Sequence, residues 1–140
     1  MLNNYTVYTD GAYSHTRKVG GCAFIILNQD NEVLIEYSKY YTSCTSNQME
    51  MIACILALES IKTPSSITII SDSMYVIGTY TLNWKRNKNK NLWTRFDKAI
   101  AFHKNVSFVH TKGHEDDFYN NKCDKMAVEA TKINIKDETK

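Results

Sequence analysis

The chain has 140 residues, 43% of them hydrophobic, which is enough for one domain with a real core and too few for two comfortable ones. Its formal charge is +2, from 17 Lys and Arg against 15 Asp and Glu, so no global polycation announces a nucleic-acid binder and any such argument rests on local clustering. Cys22, Cys44, Cys54 and Cys123 show neither paired zinc spacing nor a secreted disulfide framework, and no apolar run approaches membrane-spanning length, so the expectation is a soluble, cytoplasmic protein with reduced thiols.

Tyr5-Thr6-Val7-Tyr8-Thr9-Asp10 reads as a first strand, with Tyr5, Val7 and Thr9 on one face and Thr6 and Tyr8 on the other, stopping where Gly11 frees the backbone to turn. Cys22–Leu27 suits a buried strand, Asn28–Asn31 is turn chemistry, and Val33–Tyr41 is a third strand, all joined as antiparallel hairpins. From Ser46 the period becomes helical: Met49, Ile52, Ala53, Leu56 and Ser60 form a stripe, widened by Met51, Ile55 and Leu58 and ended by Thr63-Pro64. Ile67–Ser71 is a β-branched strand ending in Asp72, and a helical run through Tyr75, Val76 and Tyr80 follows Ser73. Lys85–Asn91 is a basic, amide-rich loop. A helix through Trp93, Phe96 and Ile100, a strand over Val106–His110, a polar loop from Thr111 to Asn121 and an amphipathic segment with Cys123, Met126 and Ala130 complete the chain. Residues 1–132 form the expected domain, and the charged tail over 133–140 frays.

The order β-β-β-α-β-α-α-β-α predicts an α/β domain whose mixed five-stranded sheet, three antiparallel strands and then parallel ones, is flanked by helices. Asp10 and Asp72 then project from the same carboxyl end of the sheet, where open α/β sheets place their sites. An unpaired carboxylate at the end of a buried strand costs about 2–7 kcal/mol unless something compensates it, so these positions ask for a cation. For Asp10 the plainer reading is a hydrogen bond to the following turn; for Glu50 it is a capping pair with Asn47, which would place Glu50 at the third helical position.

Four carboxylates fall at element ends: Asp10, Glu50, Asp72 and Asp124, the last ten residues after His114. Thr9-Asp10-Gly11, Ser46–Glu50, Ser71–Val76 and Lys112-Gly113-His114 through Asn120–Ala127 together resemble, in order and over most of the chain, the type 1 ribonuclease H family. The resemblance implies an RNase H-like fold and an endonuclease that hydrolyses the RNA strand of RNA–DNA hybrids with two Mg²⁺ ions, leaving 5′-phosphate and 3′-hydroxyl ends. Mn²⁺ would be able to substitute. On it, Asp10, Glu50, Asp72 and Asp124 hold the metal and His114 assists proton movement or product departure. The chemistry suits these residue types: hard carboxylate oxygens are what Mg²⁺ prefers, and four crowded acids raise one another's pKa without an ion.

For the substrate, the resemblance points to Ser46, Asn47 and Gln48 beside the 2′-hydroxyl and to Thr45 and Asn89 on a phosphate of the DNA strand, with helix capping as the plainer role of Asn47 and Thr45. Ser43 stands where some relatives carry an arginine, and the basic ridge is abbreviated to Lys85, Arg86, Lys88 and Lys90, with phosphate contact or a solvated charged loop as its two readings. Trp93 is expected in the core, and Trp84 either in the core or against the DNA strand. No hybrid-binding domain is expected ahead of the first strand, and the protein is expected to be a monomer with no membrane partner. A DNA nuclease or resolvase of the same fold, an inactive nucleic-acid-binding module, and the nuclease partner of a separate polymerase stay open as alternatives.

Overall fold

In the computed structural model, residues 3–111 and 117–133 are described; His114 lies outside them. Five strands, β1 (Asn4–Ser14), β2 (Val19–Leu27), β3 (Val33–Thr42), β4 (Ser66–Ser71) and β5 (Asn105–His110), form one sheet in the order β3-β2-β1-β4-β5. The β1–β2 and β2–β3 pairs are antiparallel and β1–β4 and β4–β5 are parallel, as the element order predicts. Helices α1 (Ser46–Ser60), α2 (Met74–Thr81), α3 (Lys90–Phe102) and α4 (Phe118–Ala130) cover it, and none is long and apolar enough to cross a membrane.

Alternation along the strands feeds apolar packing on both faces of the sheet. Val7, Phe24, Ile26, Ile67 and Ile69 pack beneath α1 and α3 with Met51, Ile55, Leu58, Trp93 and Phe96. On the opposite face Ala23, Ile25 and Leu27 meet Cys123 and Ala127 of α4. Covered on both faces, β2 is buried along its whole length, which its apolar run required. The outer strand β3 is exposed along most of its length. All four cysteines are free thiols.

Three expectations are corrected. β1 does not stop at Gly11 but runs on to Ser14, because Gly11–Ser14 still pair with Cys22–Val19 of β2. Pairing of β1 with β4 ends earlier, at Tyr8–Ile70, so Asp10 sits where β1 parts from β4. Gly11 is required by close approach: a Cβ there would lie 2.6 Å from the Glu50 backbone nitrogen and 2.7 Å from the Met49 carbonyl carbon. Second, α1 is buried almost all round, with Met49, Met51, Ala53, Cys54, Ile55, Ala57 and Leu58 inside, since it touches the sheet, α2 and α3 together. Third, α4 begins at Phe118 within the expected loop, because the Asp117 side chain caps it by accepting from the Asn120 N–H.

Candidate active site at the carboxyl end of the sheet

Three segments converge where β1 and β4 separate. β1 carries Asp10, β4 hands its chain to Asp72, and α1 brings Glu50 against Gly11. One carboxylate oxygen from each of Asp10, Glu50 and Asp72 lies within 4.8 Å of the other two. The three form a gradient: Asp10 is 2% exposed, Glu50 is half-buried, and Asp72 stands in the open.

Glu50 is free for this role because capping is done elsewhere. Thr45 is the N-cap, its hydroxyl accepting from Gln48 N–H at 3.1 Å while Gln48 Oε1 accepts from Thr45 N–H at 3.0 Å. The cap therefore sits two residues before the expected pairing of Asn47 with Glu50, and Glu50 lies in the second turn. For Asp10 the plainer reading holds in part: Oδ1 accepts from the Gly11 N–H at 2.9 Å. Its other oxygen, Oδ2, and Glu50 Oε1 are buried without a hydrogen-bond partner.

The electrostatics agree. Burial, then the Glu50 and Asp72 charges, push the Asp10 pKa far above the ordinary carboxylate range. Glu50 is pushed up by burial and by Asp72, with the Gly11 backbone partly offsetting this. Asp72 is raised by burial and by Asp124, with His110 at the end of β5 pulling the other way. Two buried acceptor oxygens with no donor, in a cluster that resists ionisation, fit a hard divalent cation held by oxygen ligands. Asp124, exposed on α4, faces the cluster closely enough to raise Asp10, Glu50 and Asp72, but does not join the three-carboxylate group.

The expected substrate residues divide. Asn47, Lys85, Lys88 and Asn89 line one cavity of about 210 Å³, together with Asn87 and Tyr75. Ser46 is exposed in the first turn of α1. Gln48 is engaged on both sides, by Thr45 and by Asn89 at 3.1 Å. Arg86 pairs with Asp97 at 2.6 Å and lies over the Trp93 ring, so it secures the loop to α3. Trp93 is in the core as expected; Trp84 folds its ring onto Gly78 of α2 and stays 46% exposed. Two neighbours were given no role in the site from the sequence: His110 beside Asp72, whose only signal is its place at a strand end, and Tyr75, three residues after Asp72.

The sheet order and helix placement are those of the RNase H fold. RNase H1 from Halobacterium salinarum superposes with a TM-score of 0.77 at 22% identity, covering 91% of this chain and 96% of that one. LC11-RNase H1, solved in complex with an RNA/DNA hybrid, gives 0.80 at 21% identity over 94% and 99%. The RNase H family profile matches residues 2–132. A ribonuclease H of Acetivibrio thermocellus is 34% identical over 96% of this chain and 99% of its own length, and one of Clostridium botulinum is 36% identical over 92% and 96%. The chain belongs to the RNase H family.

Proposed function

We propose that this chain is an endonuclease that hydrolyses the RNA strand of RNA–DNA hybrids and leaves 5′-phosphate and 3′-hydroxyl ends. The observation that carries the reading is the cluster of Asp10, Glu50 and Asp72, in which two oxygens, Asp10 Oδ2 and Glu50 Oε1, are buried and orphaned. The family match, relatives named ribonuclease H, and a hybrid bound to LC11-RNase H1 support the substrate.

Asp10, Glu50 and Asp72 would hold the metal, with Asp124 completing the set from α4. Two divalent ions held there, Mg²⁺ by ligand type, would supply a nucleophilic water near neutral pH and stabilisation of the leaving oxyanion. The chain's own contribution is positioning. The Gly11 N–H holds Asp10 Oδ1 so that Oδ2 is left free, and the tight Gly11–α1 contact sets where Glu50 stands. Lys85 and Lys88 bring positive charge to the neighbouring cavity, where a phosphate backbone is attracted. Residues 1–132 form the catalytic domain in this reading, acting as a monomer in the cytoplasm.

The test is cleavage of one end-labelled RNA strand presented alone, paired with RNA and paired with DNA, in Mg²⁺ and in chelator, beside Asp10→Asn. Metal-dependent cutting confined to the hybrid and lost in the variant is expected. Cutting of the single-stranded RNA or of the RNA duplex at an equal rate would overturn the reading.

A further inference from the structure

A chain of side-chain hydrogen bonds joins α1, α2 and α3, and donors that cannot accept fix its direction from both ends. Thr45 N–H donates to Gln48 Oε1 at 3.0 Å, which leaves the Gln48 NH₂ facing Asn89. Gln48 Nε2 donates to Asn89 Oδ1 at 3.1 Å, and Asn89 Nδ2 donates to the Tyr75 hydroxyl oxygen at 3.1 Å. From the other end the Trp93 indole N–H donates to the same oxygen at 3.2 Å. The Tyr75 oxygen thus accepts twice and its own proton is unspent, with no acceptor among the described residues. Asn89 holds its place in the left-handed region, at φ 61°.

Tyr75 lines the 210 Å³ cavity with Asn47, Lys85, Asn87, Lys88 and Asn89, and no carboxylate is among these residues. A hydroxyl proton and two ammonium groups around one cavity suit an anion that only accepts. Gln48 shares α1 with Glu50, and α2, which carries Tyr75, starts just after Asp72, so cavity and acid cluster are built on the same two segments.

We propose that Gln48 is a positioning residue, not a substrate ligand: it sets the polarity of this chain, and the Tyr75 hydroxyl is the donor so presented to a phosphate oxygen of the bound nucleic acid. The identity of that phosphate rests on the hybrid-cutting reading.

Two variants separate the roles. Gln48→Glu keeps the acceptor that completes the cap but cannot donate to Asn89. The Asn89 amide must then turn over and present Oδ1 to Tyr75, which spends its proton there. Tyr75→Phe keeps the ring and removes the hydroxyl, the proton together with the oxygen that accepts from Asn89 and Trp93, so a thermal melt accompanies its binding measurement. The dissociation constant of an RNA–DNA hybrid is measured in chelator by fluorescence anisotropy, with a DNA duplex of the same sequence as second probe. Each variant is expected to weaken hybrid binding about tenfold or more, the scale of one hydrogen bond to a charged group. In Mg²⁺, KM is expected to rise by a similar factor while kcat changes less. The double variant is expected to bind as Gln48→Glu alone, because any repulsion from the new carboxylate persists in both. Wild-type binding by Tyr75→Phe, or additive losses in the double variant, would overturn the proposal. Failure of the wild-type protein to cut RNA would overturn the functional reading instead, and the binding cycle would still be read.

Discussion

At the acid cluster and at the amide chain beside it, polar groups of α1 meet groups presented by the chain that follows β4, and the two sites are completed in opposite ways. From Thr45 to Trp93 each acceptor in the chain meets a donor, and the Tyr75 hydroxyl proton stays unspent among the described residues. Among Asp10, Glu50 and Asp72, once ionised, there are only acceptors, and two of these oxygens are buried and unmet. The contrast teaches how a small domain divides labour. A closed network fixes geometry whether or not ligand is present, whereas an unsatisfied cluster is held in place by surrounding packing and stabilised when a cation arrives.

The sharpest way to break this comparison is Asp10→Asn. Cutting in Mg²⁺ should fall at least about 10³-fold, since a principal metal ligand is lost. The ion-free protein should become more stable near neutral pH, by about 2–4 °C in Tm for each kcal/mol of repulsion and desolvation relieved. The sign follows from the raised pKa values of Asp10 and Glu50. Unfolded, these groups titrate near about 4; folded and ion-free they hold their protons to higher pH. Stability is therefore fully present below that range and falls as pH rises through neutral, a slope that divalent cation or Asp10→Asn should flatten. Thermal melts from acid to mildly alkaline pH, with and without chelator, measure it.

Glycine replacements sharpen the difference between rigid and yielding neighbours. Gly11→Ala meets backbone atoms of Met49 and Glu50 that cannot give, and should cost about 1–3 kcal/mol in a urea melt. In Gly78→Ala the atoms nearest the added Cβ belong to the half-exposed Trp84 ring, at 2.5 Å, which can swing away. With a helix-propensity gain of about 0.5–1 kcal/mol, its net effect on stability should be near zero.

The smallest effect separates the loop cations. Lys85→Ala or Lys88→Ala should each lower the salt slope of hybrid binding by about one. Arg86→Ala should leave that slope alone, because Asp97 already neutralises it, and should lower stability by about 1 kcal/mol through the lost ion pair and the Trp93 contact.

The element order, the sheet and three of the four acids as one cluster were legible because each depends on local pattern: strand alternation, a helical period and carboxylates at element ends. What was hidden depends on partners far along the chain. Gly11 read as a turn because its close contact with α1 has no local signature. The cap at Thr45 and Gln48 competed with an equally plausible one at Asn47 and Glu50. Arg86 looked free since Asp97 lies on the next helix, and Gln48 looked available since Asn89 is 41 positions away. The first turn of α4 was missed because its buried positions begin with Asn120, a polar residue.

The exposed outer strand β3 bears on how the chain reaches this state. Val33, Leu34 and Ile35 are 36–52% exposed on a strand with one unpaired edge, a template for recruiting another chain while the sheet is still assembling. Mid-strand, Glu36 is held by Lys122 of α4 at 2.6 Å, and Lys39 lies over Tyr41. Charges on an edge strand disfavour pairing with another chain, and the docking of α4 sets one of these two in place.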